Sequence, residues 1–258
     1  MTVRLHYADT VAVLTLDRPA ALNALNAEML AKLSDLLDEI AQGDARSVVI
    51  MGGGDRAFCA GADIVELRTR SAEQHLEAAT YGQEVFSKLA SLLIPTIAVI
   101  RGAALGGGLE LALACTYRIA LSNAKFGLPE IKLGLIPGYG GTQRLPKLIG
   151  ASQAMELVLS GRIIDAQNAL ALGLVDKVTD DPLADPLRIA RDYLNDQYKG
   201  HPAALHLARE AVRASTTLPL EAGLNMEARL FVLATQSADA VEGIDAFLTK
   251  RPAVFSGR

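Results

Sequence analysis

Two glutamates, Glu110 and Glu130, stand in the otherwise apolar and glycine-rich stretch 97–141, IAVIRGAALGGGLELALACTYRIALSNAKFGLPEIKLGLIPGYGG. A carboxylate in apolar surroundings is costly unless it has partners or a chemical task. Glycine lets the backbone turn tightly and approach a ligand closely. The combination points to an active site. A second turn of small residues, CAGAD at 59–63, precedes it. Two separate turns, each aiming one backbone N–H at the same oxygen, would stabilise a carbonyl that becomes an enolate.

Each motif has a plainer reading beside the chemical one. LGGGLE at 105–110 follows a buried strand and opens a helix. Free N–H groups there attract negative charge, so the turn could cradle a phosphate or an oxyanion. It could equally be a tight strand–helix turn with Glu110 favouring the helix dipole. Neither GxxxxGK[ST] nor GxGxxG with a downstream acid is present, so nucleotide-phosphate binding is the weaker reading. Pro129 and Glu130 could simply start a short helix. Their apolar neighbours Phe126, Leu128, Ile131 and Leu133 favour a partly desolvated carboxyl with a raised pKa. CAGAD alone is explained by close packing. His6, His75, His201 and His206 lack zinc-ligand spacing, and HExxH and CxxC are absent, so no metal site is expected. No GxSxG elbow occurs. Asp63 and Asp165 read as helix starts. Arg18 and Lys250 are by type solvated charges.

The elements that must position these groups alternate. β-branched sequence at 10–16 predicts a strand, and Met29, Leu33, Leu36, Leu37 and Ile40 recur at helical spacing before Gly43. A buried strand follows at 47–51. Ser71 and Gln74 make a capping-box pattern for a long helix carrying Leu76, Ala79, Phe86, Ala90 and Leu93 on one face, stopped by Pro95. Strands are expected at 96–100 and 117–121, a helix through Cys115, and a loop-rich segment at 126–141. Further helices are expected at 152–159 and 165–172, with a short strand at 173–178. Four helices close the chain, at 183–195, 202–215, 219–235 and 237–250. Two of them carry apolar faces: Leu224, Ala228 and Phe231, then Val241, Ile244 and Leu248. Alternation followed by a helical tail predicts an α/β core over 1–180 and a helical region over 181–258, with the composition shift at 180–186 between them.

The 258-residue chain is long enough for a large core, carries a formal charge of -4, and is 50% apolar. A mean hydropathy of +0.25 is high for a chain whose longest apolar run is too short to span a bilayer, and it suggests apolar surface buried between subunits. No basic stripe suggests nucleic acid or an anionic membrane as partner. Cys59 and Cys115 read as free, buried thiols in a reducing compartment. The start, MTVRLHYAD, has no apolar signal core, so a cytoplasmic protein is expected.

Five motifs in order resemble the crotonase superfamily of enoyl-CoA hydratases and isomerases: LDRPAALNALN at 16–26, FCAGADI at 58–64, GAALGGGLELALACTYRIA at 102–120, FGLPEIKLGLIPGYGGTQRLPKLIG at 126–150 and FLTKRPAVF at 247–255. The resemblance covers nearly the whole chain. It implies a spiral of ββα turns with C-terminal helices that build trimers, often paired into hexamers. It implies an oxyanion hole from the backbone N–H groups of Ala62 and Gly107. By the same resemblance Glu110 activates the water that attacks C3 of a 2-enoyl thioester, and Glu130 delivers the proton to C2. Coenzyme A enters as part of the substrate and no cofactor is implied. Its contacts would come from Arg18, Ala21, Leu22, Ala24, Ala60, Asp63 and Ile64, with Phe247 and Lys250 reaching CoA on a neighbouring subunit. Many relatives carry Lys where this chain has Ala20, so one contact to CoA phosphate is missing or is supplied by Arg18 or Lys250.

The expected reaction is hydration of 2-trans-enoyl-CoA to 3-hydroxyacyl-CoA. The same fold would also serve shifting of a 3-enoyl double bond to position 2, which typically needs one carboxylate. A non-catalytic CoA-binding scaffold or an RNA-binding relative is disfavoured by the two glutamates and by the acidic charge.

Overall fold

The apolar runs read as strands form the middle of a parallel sheet, in which a strand covered on both faces can be apolar throughout. The computed structural model describes residues 2–181, 184–198 and 204–257. It opens with β1 (Val3–Ala8), antiparallel to β2 (Val11–Leu16), every residue of which is buried. After a short 3-10 turn, Pro19–Ala21, comes α1 (Ala27–Gln42). Asn26 caps it by accepting from the N–H of Met29, and the face predicted from the spacing is the buried one.

The next elements follow a repeated plan. They are β3 (Ser47–Gly52), β4 (Ala57–Cys59), α2 (Ile64–Thr69) and α3 (Ala72–Ser91), then β5 (Thr96–Ile100), β6 (Ala103–Leu105) and α4 (Gly107–Ala114). After them run β7 (Tyr117–Leu121), β8 (Lys125–Gly127), the 3-10 turn Pro129–Leu133, α5 (Gly141–Ile149) and α6 (Ala151–Ser160). β9 (Ile164–Asp165), α7 (Ala166–Ala171) and β10 (Lys177–Thr179) complete the set. One sheet has the order β1-β2-β3-β5-β7-β10 and the other β4-β6-β8-β9. Three successive turns, β3–β4, β5–β6 and β7–β8, thus give their first strand to the large sheet and their second to the small sheet before turning into helix. This is a spiral of ββα turns. Close approach makes it possible at Gly108, where a Cβ would collide with the carbonyl oxygen of Cys59. The end of β4 therefore packs directly on α4.

Several expectations need correction. β4, β6 and β8 were not foreseen, because three residues carry no readable period. α5 was missed because Pro146 interrupts its pattern. α3 begins at its capping box as predicted, but it buries Gly82, Val85, Phe86 and Leu89, while Leu76 and Leu93 are exposed and Leu93 lies past the helix end. The face turned because Gly82 seats the ring of Tyr139, where any Cβ would clash. The strand expected over 173–178 is only β10, since Asp176 bonds to the N–H of Arg118 and Leu174 accepts from its Nε.

The chain forms two compact units, divided between Ala190 and Arg191. The division falls inside α8 (Pro186–Gln197), whereas the composition shift at 180–186 precedes that helix. The helices expected over 183–195 and 202–215 have their starts outside the described residues, as has His201. The second unit holds α9 (Leu205–Ala214), α10 (Leu220–Thr235) and α11 (Ala238–Leu248). Buried Asp239 accepts from the N–H groups of Ser256 and Gly257 and ties the tail to α11. The expected apolar faces of α10 and α11 are not core: Leu224, Phe231, Val241, Ile244 and Leu248 are all exposed in the single chain.

Candidate active site

The first small-residue turn is held in place by an asparagine. Leu22 and Asn23 adopt left-handed backbone, which Asn tolerates well. Asn23 is fully buried; its Oδ1 accepts from the N–H of Arg18, and its Nδ2 donates to the carbonyls of Gly53 (3.0 Å) and Ala57 (2.9 Å). Segment 22–25 then runs beside 60–63. Ala60 N–H donates to Leu22, Leu25 N–H to Gly61 and Asp63 N–H to Leu25. This ladder uses the carbonyl of Gly61 and the N–H of Asp63, on either side of Ala62, and leaves the N–H of Ala62 facing the other way, with no protein acceptor among the described residues.

The second turn meets it there. Gly106 has φ +50°, donates to the carbonyl of Gly127, and leads into α4. Gly107 is the first residue of that helix, so its N–H has no intrahelical acceptor. A Cβ on Gly107 would lie 3.4 Å from the nitrogen of Ala62, and one on Gly61 would lie 3.9 Å from the nitrogen of Gly107. The two N–H groups named from the resemblance are therefore neighbours, supplied by turns some forty-five positions apart.

Glu110 lies on the first turn of α4 and is 1% exposed. Its Oε1 accepts from the N–H of Tyr139 at 2.8 Å and of Gly141 at 2.7 Å. Burial pushes its carboxyl up to about 7; the two N–H bonds and the charge of Arg144 work against that, and the charge of Glu130 works with it. Glu130, on the 3-10 turn after Pro129, is also raised by burial, opposed by its own N–H. Its Oε2 is buried without a partner among the described residues. Its Oε1 stands 2.8 Å from where a Cβ on Gly106 would be, at the turn that leads into Gly107. Phe126 and Leu128 are buried as expected near it, but Ile131 and Leu133 are exposed. An orphaned buried carboxyl oxygen is costly and favours a form that carries a proton. The site can therefore offer a base and an acid to one small molecule between them.

A cavity of about 360 Å³ opens on these groups. Ala60, Ala62, Ile64, Gly107, Glu110, Glu130 and Tyr139 all line it. Arg18 and Asp63 are joined at 3.0 Å, and Arg18 also donates to the carbonyl of Ala24 at 2.6 Å. Asp63 at the same time caps α2 through the N–H of Val65. Arg18, Ala21, Leu22, Ala24, Ala60, Asp63 and Ile64 thus form one connected edge braced by Arg18, and of these Ala60 and Ile64 are the ones that line the cavity itself. Phe247 and Lys250 lie in the second unit, where both are exposed. Cys59 and Cys115 are free and buried, and burial pushes the Cys59 thiol up to about 12.

Sequence reasoning missed Asn23, Tyr139 and Arg144. The Arg144 guanidinium donates to the carbonyl of Tyr139 at 2.9 Å and to Ser87 Oγ at 3.2 Å, so it braces the loop that holds Glu110. The signal available was GYGG at 138–141, whose glycines free the backbone to wrap a carboxylate. Among the described residues no group of three His, Cys, Asp or Glu could hold a metal, and no helix is long and apolar enough to cross a membrane.

The sequence profile of the Enoyl-CoA hydratase/isomerase family matches residues 6–258. The chain belongs to this family. Members of the enoyl-CoA hydratase/isomerase family similar to it include a crotonyl-CoA hydratase of Syntrophomonas wolfei subsp. wolfei, 40% identical over 96% of this chain and 95% of that protein. A 2,3-dehydroadipyl-CoA hydratase of Escherichia coli is 44% identical over 96% of each chain. The solved enoyl-CoA hydratase of Bacillus anthracis superposes with a TM-score of 0.91 at 37% identity, covering 100% of both chains. The ββα spiral built above is thus the crotonase fold of an enzyme family.

Proposed function

We propose that this enzyme hydrates 2-trans-enoyl-CoA to 3-hydroxyacyl-CoA. The observation that carries the reading is the pairing of two carboxyls, both with raised pKa, beside two neighbouring backbone donors from separate turns. The thioester oxygen is received by the N–H groups of Ala62 and Gly107, which hold the charge that builds there as an enolate forms. A water lies between the carboxyls. Deprotonated Glu110 takes one proton from it while the oxygen bonds to C3, and the C2=C3 electron pair moves toward the thioester. Protonated Glu130 then gives its proton to C2. One H and one OH have been added, Glu110 has gained a proton and Glu130 has lost one, and exchange with solvent resets the pair.

The CoA moiety lies along the edge formed by Arg18, Ala21, Leu22, Ala24, Ala60, Asp63 and Ile64. The exposed apolar faces of α10 and α11 support assembly as a homotrimer or homohexamer, in which Phe247 and Lys250 serve the CoA of a neighbouring copy. Light scattering on the purified protein checks the assembly.

Loss of conjugated-thioester absorbance with crotonyl-CoA tests the reaction. Wild type should turn over, and Glu110→Gln and Glu130→Gln should each fall by about 10²–10⁴-fold. Wild-type rates in both variants would overturn the assignment. So would conversion of 3-enoyl-CoA far faster than of 2-enoyl-CoA.

A further inference from the structure

We propose that Arg70 sets the acyl length this enzyme accepts, by standing as a partition between the catalytic cavity and a second groove behind it. The inference rests on the hydratase reading above and adds the substrate class to it.

Arg70 occupies the corner between α2 and α3. It ends the first helix, and Ser71 beside it caps the second with a complete capping box. The corner is therefore fixed on both sides. The side chain is 16% exposed and pairs with Glu66 at 2.7 Å. Glu66 is itself held by the N–H of Ala27 at 3.1 Å. The guanidinium also faces the Tyr139 hydroxyl.

Two hollows meet at this residue. Arg70 and Ala78 line the catalytic cavity of about 360 Å³ and also an open groove of about 500 Å³, whose other walls include Glu66, Gln74, Glu77 and Tyr81. Tyr139 gives the scale. Its backbone N–H donates to Glu110 and its hydroxyl faces Arg70, so the base and the partition stand at the two ends of one residue.

A longer apolar tail running toward this corner would have to push the guanidinium off Glu66 and lay hydrocarbon against the carboxylate it abandoned. Separating this pair, whose Glu66 side chain is 33% exposed, costs less than breaking a buried one, yet hydrocarbon laid on the carboxylate strips it of water and opposes the move. The groove beyond adds a second carboxylate, Glu77, to Glu66, together with the polar side chains of Thr69 and Gln74. Because Arg70 is already paired, it discriminates by blocking and not by attracting a charged tail.

The test is kcat/KM for 2-trans-enoyl-CoA substrates of four, six, eight and ten carbons, on wild type, Arg70→Ala and Arg70→Met. Wild type should prefer the four-carbon chain to the ten-carbon chain by more than about tenfold, and both variants should shrink that ratio by about tenfold or more with crotonyl-CoA turnover kept. A wild type indifferent to length, or variants with an unchanged ratio, overturns the proposal. Should both variants fail to fold, Glu66→Gln takes their place: it frees the guanidinium and should relax the ratio in the same direction, and an unchanged ratio overturns. A chain ending in a carboxylate that wild type prefers over its apolar equal, with the preference lost in Arg70→Met, would make Arg70 a binding group and also overturns it. Failure of wild type to hydrate crotonyl-CoA is a separate outcome that sinks the hydratase reading itself.

Discussion

The backbone N–H of Tyr139 donates to Oε1 of Glu110 at 2.8 Å. With the bond from Gly141, both protein hydrogen bonds fall on one oxygen, and the same carboxyl's Oε2 accepts none from the protein among the described residues. The carboxyl is held by main chain, which cannot rotate away as a side chain would.

This arrangement predicts the pH profile. The Glu110 carboxyl is pushed to about 7 chiefly by burial, with the Glu130 charge adding to it. The pair shares its titration, so the limb belongs to both groups. On the proposed reaction, in which Glu110 is the base, kcat/KM for crotonyl-CoA should fall as pH drops through about 7. In Glu130→Gln a charge that raises the Glu110 pKa is gone. The acid limb of the residual activity should move to lower pH. A limb that stays in place would contradict the coupling.

Stability should move against activity at Glu110. Its folded pKa lies above the usual 4.5, so its contribution to stability is fully present below about 4.5 and is lost as pH rises through about 7. Glu110→Gln cannot ionise, yet its amide oxygen still accepts the two N–H bonds. At pH 8 this variant should be more stable than wild type by about 2–4 kcal/mol, and the gain should vanish near pH 4.5. Urea midpoints at the two pH values measure it.

Arg144 should act as a positioning residue. It holds the Tyr139 carbonyl and its charge lowers the Glu110 pKa. Arg144→Met should cut kcat more than it changes KM, and should shift the acid limb to higher pH. That is the opposite direction from Glu130→Gln. A loss of rate with an unmoved limb would reduce Arg144 to a structural brace.

Asn23→Ala should loosen the edge that carries Arg18 and Ala60. Two buried carbonyls, of Gly53 and Ala57, lose their donor, at about 1–3 kcal/mol each. Asn23→Gly keeps the left-handed backbone at ease and isolates the hydrogen bonds from the strain. Both variants should unfold at lower urea and raise KM for crotonyl-CoA, with Ala the worse of the two.

Glu110 and Glu130 were legible because charge in apolar, glycine-rich sequence is rare and local. The helices of the core announced themselves by period, as α1 did through five residues that all proved buried. What stayed hidden was relational. β4, β6 and β8 are too short to show a pattern, and they are defined by pairing with one another and with β9. The inward turn of α3 follows from a ring that arrives from Tyr139, more than fifty positions later. Asn23 looks like ordinary turn punctuation until the carbonyls it clamps are in place. The donors at Ala62 and Gly107 carry no side-chain signature at all, and only the resemblance pointed to them.

The N–H of Gly107 and the carboxyl of Glu110 ride on the same first turn of α4. Their spacing is set by the pitch of a helix, so neither can be adjusted without displacing the other. Glu130 comes instead from an irregular turn anchored by Pro129. An engineer who wished to change the reaction would keep α4 as a constant chassis and exchange 129–133 as the replaceable part, and natural diversification would meet the same asymmetry.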